Sequence, residues 1–392
     1  MTLAGETETP PVYPRSTSMP APPQNSNSTA PAPPLRLSVL DQSPVSEGST
    51  GAQALHNTMD LARLADDLGY HRYWVAEHHG TPTLASASPE VLIGPIASAT
   101  SRMRVGSGGV MLPHYSPRKV AETFSVLSGL YGDRIDLGLG RAASTDHAAT
   151  IHALQRDRRT PSPDDFPDQL AEVLAYLEER PPPDRRFAGL AALPGLPGRP
   201  EPWLLGSSAQ SAVWAGQLGL PYAFADFINP EGVKIADLYR QFFSDSERLP
   251  GPRLAVCVAA ICAETDEEAE ELALSGRMSR SMMNRGRLIP VPPVETARRY
   301  FAAKGPSAAP AGRRAVIGSP DTVRAGLEEV AREYGADEVM VVTITYSHEA
   351  RRRSYELIAE AFGHSGEIHR AGSAPGAVGS AVAQGSLTRA AP

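Results

Sequence analysis

Three short stretches of this chain carry residue types that do chemistry. The first is Tyr73-Trp74-Val75-Ala76-Glu77-His78-His79-Gly80, where an apolar run leads straight into a carboxylate and two adjacent imidazoles. On an extended strand, neighbouring side chains point to opposite faces. Trp74, Ala76 and His78 therefore share one face, and His79 leaves on the other. Such a strand end presents one histidine to a pocket, and two surface histidines beside a loop would carry the same residues. The second stretch is Gly206-Ser207-Ser208-Ala209-Gln210-Ser211. Glycine lets backbone approach a ligand closely, and hydroxyls in a first helical turn sit beside free N–H groups and the positive dipole end. That arrangement suits an anion such as a phosphate. Simple N-capping by Ser207 or Ser208 accounts for the same residues equally well. Arg141, at the end of another apolar run, could add a bidentate anion partner. The third stretch, Gly106-Ser107-Gly108-Gly109, calls for close backbone approach, either to a flat ring or to a neighbouring element.

These stretches lie at the ends of apolar runs, and the runs recur in a regular alternation with helices. Strands are expected at Leu35–Leu40, Tyr73–Glu77, Met103–Gly106, Arg134–Gly140, Trp203–Leu205, Pro221–Ala225, Leu254–Cys262 and Val339–Thr345. Helices are expected at Ala52–Leu68, Pro89–Thr100, Ser116–Leu130, Phe166–Glu179, Ser207–Leu218, Val233–Phe243, from Ser319 to Tyr334, and at His348–Phe362. In the first, Ala54, Leu61, Leu64, Ala65 and Leu68 form one stripe, and Gly69 stops it. Ser88-Pro89, Ser116-Pro117 and Ser319-Pro320 are starts of the Ser-cap, Pro-first kind. Eight pairs whose strands are apolar on both faces imply a parallel sheet covered by helices, closed as a (β/α)8 TIM barrel. In such barrels the chemistry gathers at the C-terminal strand ends, which is where all three stretches fall. The other strand ends carry Asp41-Gln42-Ser43-Pro44 and Asp226, Asn229 and Pro230.

The folded part is expected over about 35–364 of the 392 residues. Residues 1–34 are Pro/Ser/Thr/Asn/Ala-rich and residues 365–392 are Gly/Ala/Ser-rich, so both tails are expected to be disordered. Residues 264–315 are charged, helical and Pro-broken, and read as an insertion between strand seven and helix seven. Met278, Met282 and Met283 there are packing residues or part of a lid. The acidic run Glu264–Glu271 and the triplet Arg351–Arg353 read as solvated helix faces, and His114 and Tyr115 as pocket or loop residues. A net charge of −7 argues for neither nucleic acid nor an anionic membrane surface as partner. Cys257 and Cys262, five apart in one strand, face opposite ways, so neither a disulfide nor a shared metal is expected, and a reduced, cytoplasmic protein fits. No run is long enough to span a bilayer. Adjacent histidines on opposite faces chelate poorly, and no His/Asp cluster has ligand spacing, so no metal site is assigned.

Taken together, the motifs resemble the bacterial-luciferase-like, flavin-dependent monooxygenases, in the single-subunit subgroup met in natural-product pathways. The matching residues are Leu40-Asp41-Gln42-Ser43-Pro44, Trp74-Val75-Ala76-Glu77-His78-His79, Gly106-Ser107-Gly108-Gly109-Val110-Met111-Leu112-Pro113, Asp136-Leu137-Gly138-Leu139-Gly140-Arg141 and Leu205-Gly206-Ser207-Ser208. The resemblance implies reduced FMN at the strand C-termini, delivered by a separate flavin reductase, with dioxygen as co-substrate. A flavin hydroperoxide would then oxygenate a small organic molecule. It implies that Gly206, Ser207, Ser208 and Ser211, with Arg141, hold the FMN phosphate, and that His78 acts beside the reacting flavin. Gly108-Gly109 falls where relatives often carry a non-prolyl cis peptide against the flavin ring. Relatives often pair as homodimers. The luciferases proper have a reactive cysteine where this chain has Gly140, so light emission is not implied. A deazaflavin-dependent oxidoreductase on the same barrel, or a non-catalytic flavin-binding accessory protein, would present a similar phosphate site.

Overall fold

The computed structural model describes residues 34–141, 148–155, 165–187, 198–229, 231–304 and 315–364. The two tails, Pro230, and parts of the 181–202 connector, of the loop after Arg141 and of the 264–315 insertion lie outside these residues. In chain order the elements are β1 (Arg36–Asp41), α1 (Gly51–Asp67), β2 (Arg72–Val75), α2 (Pro89–Ala99), β3 (Arg104–Met111), α3 (Pro117–Tyr131) and β4 (Ile135–Gly140). Then come α4 (Ala148–Leu154), α5 (Phe166–Leu177), β5 (Glu201–Gly206), α6 (Ala209–Gln217), β6 (Tyr222–Ala225), α7 (Val233–Gln241) and β7 (Leu254–Cys262). The chain continues with α8 (Asp266–Met283), α9 (Val294–Lys304), β8 (Ala315–Gly318), α10 (Pro320–Tyr334), β9 (Glu338–Val342) and α11 (His348–Ala361).

All strand pairings are parallel, in the order β6-β5-β4-β3-β2-β1-β9-β7, and a β6–β7 pairing closes the ring. This is the expected (β/α)8 barrel. β7 is long enough to do two jobs: its first part pairs with β6 and β9, and its last part carries β8 as an added ninth strand, with Ala259 beside Ala315 and Cys262 beside Gly318. Two expectations are corrected here. A short strand, β8, follows the helical 264–315 insertion where none is expected, and the loop after β4 contains the short helix α4. In addition, β3 does not stop at Gly106 but runs on to Met111, through a register shift against β4 between Ser107 and Val110. Among the described residues, no helix is long and apolar enough to cross a membrane.

Alternation along the strands sorts side chains into two cores. Outward residues such as Val39, Tyr73, Val75, Leu137 and Val341 pack under the helices. Inward residues Leu40, Trp74, Trp203, Cys257 and Met340 fill the middle of the barrel. Cys257 thus lies inside the barrel and Cys262 under the helices, and both are free thiols, as their spacing requires. Below the tryptophans, the strand N-termini close the barrel with charge. Arg72 donates to Asp136 (2.8 Å), Glu338 (2.9 Å) and Glu201 (3.2 Å). The indoles of Trp74 and Trp203 cap the same carboxylates, at 2.9 Å from Asp136 and 3.1 Å from Glu201. Burial would raise the Glu201 pKa, but the guanidiniums of Arg72, Arg253 and Arg104 hold it down to about 2.

A second buried ion pair lies outside the barrel and corrects the sequence reading of Arg351–Arg353. Arg352 and Arg353 reach the outer acids Asp60 and Glu264, but Arg351 is 3% exposed and bonds Asp41 Oδ1 at 2.7 Å and the Thr343 carbonyl at 3.0 Å. Asp41 also accepts from the Tyr73 hydroxyl (2.5 Å) and the Ser43 amide (2.7 Å). Burial opposes charge on Asp41, yet Arg351, Tyr73 and Ser43 together leave its carboxyl below the usual range. A depressed carboxyl adds stability that is complete above its unfolded pKa, about 3.9, and is lost as pH falls through the lower folded value. Arg351→Met should therefore cost about 3–5 kcal/mol at neutral pH by stranding a buried carboxylate. Urea denaturation should show that gap narrowing below about pH 4; a gap independent of pH would mean the pair is not its source.

Candidate active site

The top of the barrel opens into a cavity of about 950 Å³, at the upper end of the range for small-molecule sites. His78 enters it from the end of β2 by the predicted alternation. The strand ladder stops at Val75, but Ala76 still donates to the Asp41 carbonyl (2.9 Å), which keeps the chain extended. Beyond it, the His78 amide bonds the Ser86 carbonyl (2.8 Å), and the loop carrying Ser86 is stitched to the end of β1 through Val45–Thr83 (2.8 Å) and Ala85–Ser43 (2.9 Å). His79 turns the other way. Its Nε2 is 2.6 Å from Glu77 Oε1, and its ring meets His114 edge-on at 5.6 Å.

Glu77, a strand-end residue by sequence, fixes this corner. Its carboxylate is fully buried and accepts from the Met111 amide (2.9 Å) and the Tyr115 hydroxyl (3.0 Å) as well as facing His79. It joins the ends of β2 and β3. Tyr115 and His114 support that corner rather than line the cavity. The partners of Glu77 are 34 and 38 positions away, so nothing local in the sequence announces them.

Gly108 and Gly109 border the cavity, and the peptide between them is cis. A Cβ on Gly108 would lie 2.4 Å from Leu40 and 3.0 Å from Trp74; one on Gly109 would lie 2.8 Å from the Gly138 carbonyl. Tight packing is thus one reason for glycine here. Across the β3–β4 pair, a Cβ on Gly140 would lie 2.9 Å from the Met111 methyl. Met111 lines the cavity beside the position where the luciferases carry cysteine. A cysteine does line the cavity, but from β7: burial pushes the Cys257 thiol well up, and it is neutral.

On another wall, β5 ends at Gly206 and α6 begins. Ser208 is the N-cap, its hydroxyl 3.3 Å from the Ser211 amide. The Ser211 hydroxyl donates to the Ser208 carbonyl (2.8 Å) and meets the Tyr222 hydroxyl (2.9 Å). Gly206 is obligatory, since a Cβ there would lie 2.2 Å from Ser211 Oγ. Ser207, Ser208 and Ser211 all line the cavity, as does Arg141. Only Ser207 keeps its hydroxyl out of internal hydrogen bonds among the described residues. Its carbonyl takes the Asn229 amide at 3.0 Å. Arg141 lies with its guanidinium carbon 5.9 Å from the Trp214 ring centre, and Trp214 leans on Phe166 at 5.6 Å. Trp214 and Phe166 were not anticipated as site residues, nor was Gln42, which reaches the cavity from β1 by alternation after the outward Asp41. The described residues contain no cluster of three or more His, Cys, Asp or Glu able to hold a metal ion.

Comparison with known proteins follows from this geometry. Residues 35–338 match the family described as Luciferase-like monooxygenase. A luciferase-like monooxygenase of Escherichia coli (strain K12) is 40% identical over 326 residues, covering 82% of this chain and 96% of the relative. An N-acetyl-S-alkylcysteine monooxygenase of Bacillus subtilis (strain 168) is 36% identical over 331 residues, covering 83% of this chain and 98% of the relative. The crystal structure of apo-MsnO8 superposes with a TM-score of 0.77 at 42% identity, covering 85% of this chain and 98% of that one. A closed parallel barrel whose mouth carries these motifs, over a match of this extent, makes the chain a member of the luciferase-like monooxygenase family and an oxidoreductase of the monooxygenase type.

Proposed function

We propose that this enzyme binds reduced FMN in the barrel mouth, takes it from a separate reductase, and uses dioxygen to oxygenate a small organic substrate. The observation that carries the reading is the convergence of Gly206, the α6 N-terminus and Arg141 on a cavity that His78 also faces. The donor set suits a flavin mononucleotide. Ser207 and the first amides of α6 suit a phosphate, and the Arg141 guanidinium adds a counter-charge. The side-chain-free Gly108–Gly109 segment suits a flat ring laid against backbone. Bound reduced FMN would supply the electrons that activate dioxygen.

The remaining tasks belong to the chain. Ser207, Ser208 and Arg141 hold the phosphate, while Ser211 braces the turn from beneath through Ser208 and Tyr222. His78 holds or moves a proton at the reacting face, in a position fixed by the Ser86 carbonyl and by the Glu77 corner beside it. Apolar walls, Leu205 and Val342 among them, exclude water from the oxygen chemistry. Val91, Val126 and Leu130, which are 65%, 63% and 68% exposed on adjoining α2 and α3, support pairing of two copies.

Three measurements test the reading. Anaerobic calorimetry should give reduced-FMN binding that Arg141→Ala weakens by about 10–100-fold and Ser207→Ala by less, as expected for charge-assisted and neutral hydrogen bonds. Unchanged affinity in both would remove the phosphate assignment, and tighter binding of a reduced deazaflavin with no oxygen uptake would favour hydride transfer. His78→Ala should keep FMN affinity but release more hydrogen peroxide per reduced FMN consumed; equal release would deny His78 its role. Sedimentation at micromolar concentration should find a dimer, and a monomer would leave the α2–α3 patch without that explanation.

A further inference from the structure

Gln42 stands at the end of β1, 9% exposed, and faces the cavity. Among the described residues, neither end of its carboxamide takes a hydrogen bond. Other polar groups of the lining are engaged. Glu77 is held by Met111, Tyr115 and His79, the Thr81 and Thr83 hydroxyls meet at 2.6 Å, and Arg277 pairs with Glu270 at 2.5 Å.

The surroundings of Gln42 follow from strand register. In the β1–β2 pair, Leu40 stands beside Trp74 and Asp41 beside Val75. The Ala76 amide continues that ladder to the Asp41 carbonyl at 2.9 Å, so Ala76 stands beside Gln42. In the β1–β9 pair, Val39 stands beside Val341, and the same count brings Ile344 to the other side of Gln42. Leu40 lies one inward step below. All three neighbours belong to the inner core and line the cavity. A carboxamide among apolar side chains costs free energy until its N–H and its C=O are both met. His78 follows Ala76 by two positions on the adjoining strand end, about 7 Å further toward the mouth.

The order of strands separates this place from the phosphate wall. Arg141 and the α6 N-terminus follow β4 and β5, and β5 lies four strands from β1 in either direction round the ring. Gly108–Gly109, the segment that suits the flat ring, is on β3. The side of the mouth formed by β1 and β9 is left to the substrate.

We propose that Gln42 is a substrate-binding residue, and that the group it holds is a carboxamide on an apolar body. This rests on the reading that FMN takes the β3–β5 side. Gln42 offers a donor and an acceptor side by side, and a second amide meets both at once. A carboxylate or a ketone only accepts and leaves the Gln42 oxygen unmet; a cation only donates and leaves its N–H unmet. Leu40, Ala76 and Ile344 take up the apolar part.

The test uses the full chain loaded with reduced FMN under anaerobic conditions and two probes of one shape, octanamide and 2-nonanone, with binding followed by calorimetry. The ketone carries a methyl group where the amide carries its NH2. Gln42→Met should weaken octanamide about tenfold, the worth of two neutral hydrogen bonds, and 2-nonanone about threefold or less. Gln42→Asn, which draws the amide back by one methylene, should weaken octanamide too, and it serves if the Met variant does not fold. FMN affinity should be the same in the wild type and both variants. Equal loss for the two probes, or a wild type that does not bind octanamide, overturns the proposal. A loss of FMN affinity in a variant that keeps its circular dichroism also overturns it, by giving Gln42 to the cofactor. If the wild type fails to bind FMN, the cofactor reading fails alone, because the two probes are then compared on the cofactor-free protein.

Discussion

The barrel depends on one buried guanidinium. Arg72, 1% exposed, holds Asp136 and Glu338 from one side of the ring and Glu201 from another, at the level where the strands begin. Charges taken out of water are costly unless each is paired and hydrogen-bonded. Here Arg104 and Arg253 supply further partners, Ser38 donates to Glu338 at 2.6 Å, and the two indoles complete the set. Trp74 and Trp203 then stack edge to face at 5.3 Å directly above, with Arg72 lying 4.6 Å from the Trp203 ring centre. The lower end is thereby filled, and the residues above it, from Leu40 to Val342, line the cavity at the strand C-termini.

What stands at those C-termini is positioned from outside the barrel. Tyr73 and Asp41 point away from the cavity, and Glu77 lies at its edge with its carboxylate turned to Met111, Tyr115 and His79. Asp41 is tied to Arg351 on α11, so the inward Gln42 is set by a contact on the far side of the sheet. Glu77 is tied to Met111 and His79, so the inward His78 is set in the same way. The strand alternation that hides one carboxylate presents the next side chain to the cavity.

Much of this was legible in the sequence because the governing patterns are local. The alternation that aims His78 inward, the Ser-Pro helix starts and the glycine stops each involve a few neighbouring residues; Gly335 does end α10 in the left-handed conformation, at φ +56°. Ser208 serves both readings offered for its stretch, since it caps α6 and lines the cavity. What was missed depends on pairing over distance. β8 has four residues and exists because β7 offers it an edge. The role of the Glu77 carboxylate is not local, because its partners lie on another strand and the turn beyond it. Arg351 was misread for a different reason. Consecutive helical residues sit about 100° apart around the axis, so a triplet does not share one face. Ser354, Tyr355 and Ile358 mark that buried stripe, and Arg351 lies on it.

The extra strand has a consequence for how such a molecule diversifies. β7 and β8 are hydrogen-bonded neighbours, so the helical segment between them leaves the barrel and returns to it one strand spacing away. A loop closed at its base imposes little on its own length, because closure entropy grows only slowly with added residues. The segment behaves as a cassette clipped to a fixed frame. Its wall of the cavity is free to be recast while the ring of strands stays as it is.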